Sequence, residues 1–204
     1  MTIRLHRGDL PDLARYRVGA VAIDTETMGL DVRRDRLCVV QLSPGDGSAD
    51  VVQIGPGAAA TNIKALLADR NVLKLFHFGR FDLATLHQAL GVMAGPVYCT
   101  KIASRLARTY TDKHGLKDLV RELLGVDLSK QQQLSDWGAG ELTEAQVAYA
   151  ASDVLHLHAL KEKLDAMLVR EGRAPLAAAC FAFLPERVRL DLAGWASEDI
   201  FSHS

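Results

Sequence analysis

A mixed β-sheet flanked by helices, an α/β domain, is what this sequence predicts, and three observations predict it. Strand-like apolar runs bounded by Gly, Pro, Asp and Ser come first; helical periodicity takes over beyond Leu90; a strand and a helix alternate in between. The first strands are Gly19 to Thr25, Leu37 to Leu42 and Ala49 to Ile54. Turns at Gly29-Leu30-Asp31 and Ser43-Pro44-Gly45-Asp46-Gly47 join them into an antiparallel meander. Thr61 to Ala68 reads as a short helix, and Val72 to His77 as a buried strand that feeds a helix over Phe81 to Leu90. Helices over Lys101 to Tyr110, Leu116 to Leu124, Thr143 to Arg170 and Leu176 to Leu184 complete the pattern. The third opens with Thr143 as N-cap, followed by Glu144 and Gln146. No internal repeat is present, and Gln131-Gln132-Gln133 is too short to count as a low-complexity tract.

Composition narrows the class. The chain has 204 residues, 49% hydrophobic and 24% charged, enough to build a sizeable core. Its first residues lack the apolar stretch of a signal peptide and no run approaches a membrane span, so a cytoplasmic protein without a membrane partner is expected. Cys38, Cys99 and Cys180 are odd in number, widely spaced and set among small or apolar neighbours, which predicts reduced packing residues. A net charge of -1 does not suit a protein that coats long nucleic acid, and favours a small or short anionic substrate.

The chain is organised around Val21-Ala22-Ile23-Asp24-Thr25-Glu26. Side chains two apart on a strand leave on the same face, so Asp24 and Glu26 point together while Ile23 and Thr25 point away. Two like charges in one place are unfavourable unless a cation lies between them, and paired carboxylate oxygens suit magnesium or manganese. A strand end entering solvent accounts for the same pair if nothing else joins it. Asp82 falls near the start of a helix, where an acid serves a metal or simply the helix dipole. Tyr149 and Asp153 lie four apart on one helix face. Asp153 sits among Ala, Ser, Val and Leu, where an unpaired carboxylate is costly to bury.

Asp24-x-Glu26, Asp82 after a strand and Tyr149-x-x-x-Asp153 on a late helix resemble the signature of DEDDy 3′-5′ exonucleases of the ribonuclease D group. The similarity runs from about Gly19 to Leu160 and takes in Gly115-Leu116-Lys117-Asp118-Leu119 and Ser135-Asp136-Trp137. Phe76-His77-Phe78-Gly79-Arg80-Phe81-Asp82 and Thr27-Met28-Gly29-Leu30 look most like the compact nanoRNase C type, the bacterial diribonucleases. In Lys130-Gln131-Gln132-Gln133-Leu134 the chain departs from relatives that carry an Arg before Ser-Asp-Trp, which puts the handling of long RNA in doubt.

The resemblance implies a ribonuclease H-like fold and one exonuclease domain over residues 1–204, with a catalytic core at about 19–170 and a helical extension at 171–204. It implies hydrolysis of very short RNA, dinucleotides, to mononucleotides. Exonuclease action on DNA or longer RNA, and a noncatalytic nucleic-acid-binding scaffold, remain as alternatives. Two divalent ions, Mg2+ or Mn2+, about 4 Å apart would clamp the attacking and leaving oxygens. Asp24 would bridge them, Glu26 and Asp153 would complete one and Asp82 the other, while Tyr149 would orient the attacking water.

Substrate contacts are expected at Leu30, His77, Lys113 and His114. Leu30, close behind Glu26, either packs under its loop or, as the resemblance implies, wedges between two bases. His77 is equally explained as a satisfied core histidine. Lys113, His114 and Lys117 open a helix, where backbone donors favour phosphate, and a solvated helix end explains them as well. Arg33, Arg34 and Arg36 either meet a phosphate or keep their loop soluble. The apolar run from Ala177 to Leu184, with Val188, Leu190, Leu192 and Trp195, predicts a homo-oligomer unless it packs back on its own core; the resemblance implies a ring-like octamer.

Overall fold

The computed structural model describes residues 2–128 and 135–203. Strands β1 (Thr2–Arg7), β2 (Ala20–Thr27), β3 (Leu37–Ser43), β4 (Ser48–Gln53), β5 (Leu73–Phe76) and β6 (Val97–Cys99) form one sheet in the order β1-β4-β3-β2-β5-β6. The expected meander is present, with β2 antiparallel to β3 and β3 to β4. The pairs β1·β4, β2·β5 and β5·β6 are parallel, so the sheet is mixed as predicted. Helices α1 (Thr61–Ala68), α2 (Gly79–Leu90), α3 (Thr100–Ala107), α4 (Leu116–Leu124), α5 (Glu144–Leu155), α6 (Leu157–Arg170) and α7 (Ala174–Leu190) flank it.

Strand alternation builds a separate core on each face. Val21 and Ile23 of β2 join Val40, Leu42, Val52 and Phe76 against α1, α2 and the C-terminal half of α7. Ala22 joins Val39, Val51 and Leu75 against α3, α4, α5 and α6. The same alternation carries Asp24 and Glu26 to the α5 side and Thr25 to the α2 side. At Glu26/Thr27 the pairing with β3 shifts register, so a bulge ends the regular ladder where the carboxylates emerge.

Several elements differ from the sequence expectation. Strand β1 is a half-exposed edge strand with too little apolar signal to be read. It pairs in parallel with β4, where its His6 Nε2 lies 2.9 Å from buried Asp50, a carboxylate that also accepts from Tyr16 Oη at 2.6 Å and Arg15 Nη1 at 2.7 Å. Strand β6 is three residues long, below the length at which a pattern shows. The helix expected over Thr143 to Arg170 is two helices broken at His156. Buried Ala150, Val154, Leu157, Leu160 and Leu164 keep helical spacing across the break, so periodicity passes through it unmarked. Helix α7 continues past Pro185, where the sequence suggests a stop. Thr143 and Gln146 do form a capping box.

Cys38 and Cys99 are buried, Cys180 is half-buried, and all three are free thiols. In α7 the residues Ala177, Leu184 and Val188 pack on the chain's own core, whereas Leu176 and Phe183 stay exposed, as does Trp195 beyond it. Among the described residues no helix is long and apolar enough to cross a membrane.

Candidate active site

Strand β2 delivers Asp24 and Glu26 to one face, and α5 crosses that face with Asp153. One oxygen from each of the three carboxylates lies within 4.8 Å of the others. Asp82, in the first turn of α2, stands next to this group on the other side of β2, where Thr25 Oγ1 donates to its Oδ1 at 2.7 Å. It reaches that place because β5 turns abruptly into α2. Phe78 adopts a left-handed conformation, and Gly79 is so close to the strand that a Cβ there would stand 2.7 Å from the Cβ of Phe76.

Burial and mutual repulsion make this cluster costly in its ionised form. Asp24 is held well above the ordinary carboxylate range by burial first, then by the charges of Asp82, Asp153 and Glu26. Glu26 is pushed up to about 8 by burial, then by Asp153 and Asp82. Burial also raises Asp153, and raises Asp82 despite the hydrogen bond from Thr25. Such oxygens favour a proton or a hard divalent cation, so the donor set fits magnesium or manganese. Gln41, directly opposite Asp24 on β3, donates from Nε2 to Asp24 Oδ2 at 2.9 Å and fixes that carboxylate.

Tyr149 packs beside Trp137 with ring centroids 6.1 Å apart. Burial and the nearby carboxylates of Asp153, Glu26 and Asp24 raise its phenol above the ordinary value. Its hydroxyl therefore keeps its proton at neutral pH.

A cleft of about 610 Å³ opens over Asp24, Glu26, Tyr149 and Asp153, while buried Asp82 lies behind its lining. Leu30 lines it and is 87% exposed, so it projects from its loop instead of packing under it. His77 also lines it and pairs through Nδ1 with Thr100 Oγ1 at 2.9 Å. Because Thr100 Oγ1 donates to the Phe76 carbonyl, His77 Nδ1 carries the hydrogen between them. Burial, and then Lys101, lower the His77 pKa to about 3.

Lys113 and His114 do not line the cleft: Lys113 is exposed, and His114 Nδ1 pairs with Ser104 Oγ at 2.8 Å. Lys117, one turn further on, does line it, as does Lys101, whose ammonium lies 4.5 Å from the Phe78 ring centroid. The three arginines of the loop are engaged elsewhere. Arg33 donates to the Leu192 carbonyl, Arg34 pairs with Asp35, and Arg36 donates to the carbonyls of Leu37, Ile54 and Gly138. The sequence reading did not find Gln41, Thr25 or Lys101. A glutamine inside the apolar run Leu37-Cys38-Val39-Val40-Gln41-Leu42 is a usable signal for the first. Residues 130–134, where the sequence departs from ribonuclease D, lie outside the described residues.

The family model described as 3'-5' exonuclease matches residues 12–169. The chain belongs to the 3′-5′ exonuclease family. Structures similar to this exonuclease include Brucella melitensis NrnC bound to pGG, 62% identical with a TM-score of 0.97 and 100% of both chains covered. The same protein with bound Mg2+ is 61% identical with a TM-score of 0.96, again over 100% of both chains. Escherichia coli RNase D matches at 28% identity and a TM-score of 0.77, covering 86% of this chain and 46% of that one. Ribonuclease D of Gluconacetobacter diazotrophicus is 36% identical over 166 residues, 81% of this chain and 42% of its own length. This exonuclease thus spans about two fifths of the curated ribonuclease D relatives that it matches. The resemblance to the ribonuclease D group, and within it to the nanoRNase C type, is borne out, and so is the α/β fold.

Proposed function

We infer that this exonuclease is a metal-dependent 3′-5′ exoribonuclease that hydrolyses dinucleotides and similarly short RNA to mononucleotides. The observation that carries the reading is an exposed leucine, Leu30, on the wall of the cleft lined by Asp24, Glu26, Asp153 and Tyr149, with buried Asp82 held behind that lining by Thr25. An aliphatic side chain with no polar partner can take the place of a neighbouring base against an unstacked base face. NrnC, similar along its whole length, was solved bound to pGG, which supports a two-nucleotide substrate.

Asp24, Glu26 and Asp153 would hold one divalent ion, and Asp24 with Asp82 a second. Divalent ions supply charge for the developing oxyanions and lower the pKa of a bound water. The chain's own residues do the rest. Gln41 keeps the Asp24 carboxylate in orientation, and Thr25 does the same for Asp82. Tyr149 retains its hydroxyl proton and orients the attacking water by hydrogen bonding. Lys101 and Lys117, which are cations among the described residues of the cleft lining, offer charge to substrate phosphates, whereas Lys113 and His114 could take part only from outside that lining. His77 is neutral, so it contributes a hydrogen-bonding ring and no charge.

Self-association into a homo-oligomer, an octamer on the family pattern, belongs to the same proposal. Leu176, Phe183, Trp195, Ile200 and Phe201 leave an apolar surface uncovered along the C-terminal segment. Light scattering that shows a monomer at every concentration would remove that part. The functional test is a time course with Mg2+ or Mn2+ on end-labelled RNA and DNA from two to about seven nucleotides, the span over which stacked length changes the contacts made. The fastest turnover is expected on the RNA dinucleotide. Equal rates per bond on the longest RNA, or faster cleavage of DNA, would replace this reading with a general exonuclease. Absence of any hydrolysis would leave a binding scaffold.

A further inference from the structure

Beyond α7 the chain makes a turn, Asp191–Trp195, that reaches back to the start of α2 and to the loop that carries Leu30. Arg80 grips Asp191 with two prongs, Nε to Oδ2 and Nη2 to Oδ1 at 2.7 Å, and Nη2 also donates to the Ala196 carbonyl at 3.0 Å. Arg187, one turn back on α7, donates to Asp191 Oδ1 from Nε at 2.9 Å and from Nη2 at 2.6 Å. On the other side, Arg33 Nη2 donates to the Leu192 carbonyl at 2.9 Å. Gly194, at φ 118°, lets the turn close so that its carbonyls face these guanidinium groups.

The placement of the two arginines gives this arrangement its meaning. Arg80 is the second residue of α2, two before Asp82. Arg33 lies three residues after Leu30, at the far end of an exposed loop. The base of that loop is pinned by Met28 N donating to the Arg36 carbonyl at 3.1 Å and by the three bonds of Arg36. Its tip is tied to the C-terminal turn by Arg33, and Val32 and Leu192 pack on the same apolar cluster. The Asp191 side chain is only 14% exposed, so its paired charges are weakly screened by solvent.

We propose that Asp191 is a positioning residue: through Arg80, and through the turn that Arg33 grips, it holds the Leu30 loop and the start of α2 at a fixed spacing. The proposal rests on Leu30 touching substrate, as above. Without the clasp the loop tip moves freely and Leu30 spends less time where a base can meet it. Binding of short RNA then weakens more than turnover of the bound complex.

The test uses the full chain with Asp191→Ala, the surface variant Arg33→Met, Leu30→Ala and the two double variants with Leu30→Ala. Asp191→Ala and Arg33→Met are each expected to raise KM for an RNA dinucleotide about tenfold, the scale of one charge-assisted hydrogen bond, with kcat changed far less. In the Leu30→Ala background neither is expected to raise KM further, because both act through the same side chain. Hydrogen exchange of the amides over residues 28–36 is expected to quicken in both single variants. Unchanged exchange in that segment, or KM effects that multiply with Leu30→Ala, would overturn the proposal. If Leu30→Ala alone leaves KM unchanged while exchange quickens, the clasp stands and the substrate contact by Leu30 falls.

Discussion

Replacing Gly79 by alanine tests how tightly the position of Asp82 is tied to the turn between β5 and α2. The new Cβ would lie 2.7 Å from the Cβ of Phe76 and 3.1 Å from its Cγ. Carbon atoms rest at about 3.5–4.0 Å, so the helix start and strand must separate by roughly 1 Å. Phe76 cannot yield by swinging away, because it is fully buried in the core between the sheet and α2. Overpacking of this kind costs about 1–3 kcal/mol, a fall of about 2–12 °C in thermal midpoint for a chain of this size. Asp82 lies three residues further along the same helix and moves with it. A displacement of about 1 Å in a catalytic group can cost on the order of 100-fold in turnover. Calorimetry and single-turnover hydrolysis of a short RNA measure the two effects separately. A Gly79→Ala protein with wild-type midpoint and wild-type turnover would refute the reasoning from close approach.

Four further outcomes are expected. Asp24→Asn abolishes hydrolysis, yet the metal-free protein melts no lower than wild type, because one of several repelling charges is gone; a midpoint that still rises with added Mg2+ as in wild type would count against Asp24 as a ligand. Tyr149→Phe lowers kcat by about 10- to 100-fold with little change in substrate affinity, since only the hydroxyl is lost, and an unchanged single-turnover rate would remove that hydroxyl from the chemistry. Leu30→Ala weakens dinucleotide binding by about 1–3 kcal/mol without destabilising the fold, measured by titration with an inactive Asp153→Asn partner variant. Buried Lys74, whose Nζ donates to the carbonyls of Asp69 and Gly95, has its pKa lowered from 10.5 to about 8, by burial first. Below that value both folded and unfolded chains carry the proton, and the folded one bears a cost of about 3 kcal/mol. Stability should therefore rise between pH 8 and 9.5, where the folded state releases its proton first, and denaturation of Lys74→Met should lack that rise.

What could be read from the sequence followed the physical source of each signal. Strand β2 was legible because alternation, apolar content and a carboxylate pair coincide over a few residues. The capping box of α5 was legible because Thr143 and Gln146 mark a helix start by side-chain chemistry alone. Strand β1 was not, because its partner strand β4 lies far along the chain and its own half-exposed side chains show no clear apolar alternation. The break at His156 was hidden by side chains that keep one buried stripe through it. Asp24, Glu26, Asp82, Tyr149 and Asp153 could be named from spacing and resemblance; Asp24, Glu26, Tyr149 and Asp153 line one cleft, and Asp82 is buried behind it against Thr25. Lys101 was passed over because the short β6 before it gave no sign that α3 begins beside the cleft. Lys113 and His114 were favoured because they precede a helix, but the side of that helix start facing the cleft belongs to Lys117.

The alternation of β2 between two cores also bears on when the candidate site can form. Asp24 and Glu26 face the layer of α5, whereas Asp82 arrives from the layer of α2, so no single half of the molecule contains the whole donor set. Asp153 and Tyr149 are also among the later residues to leave a ribosome, long after the strand they must meet. A chain still being made has its carboxylate pair exposed but cannot complete the site until α5 has emerged and docked.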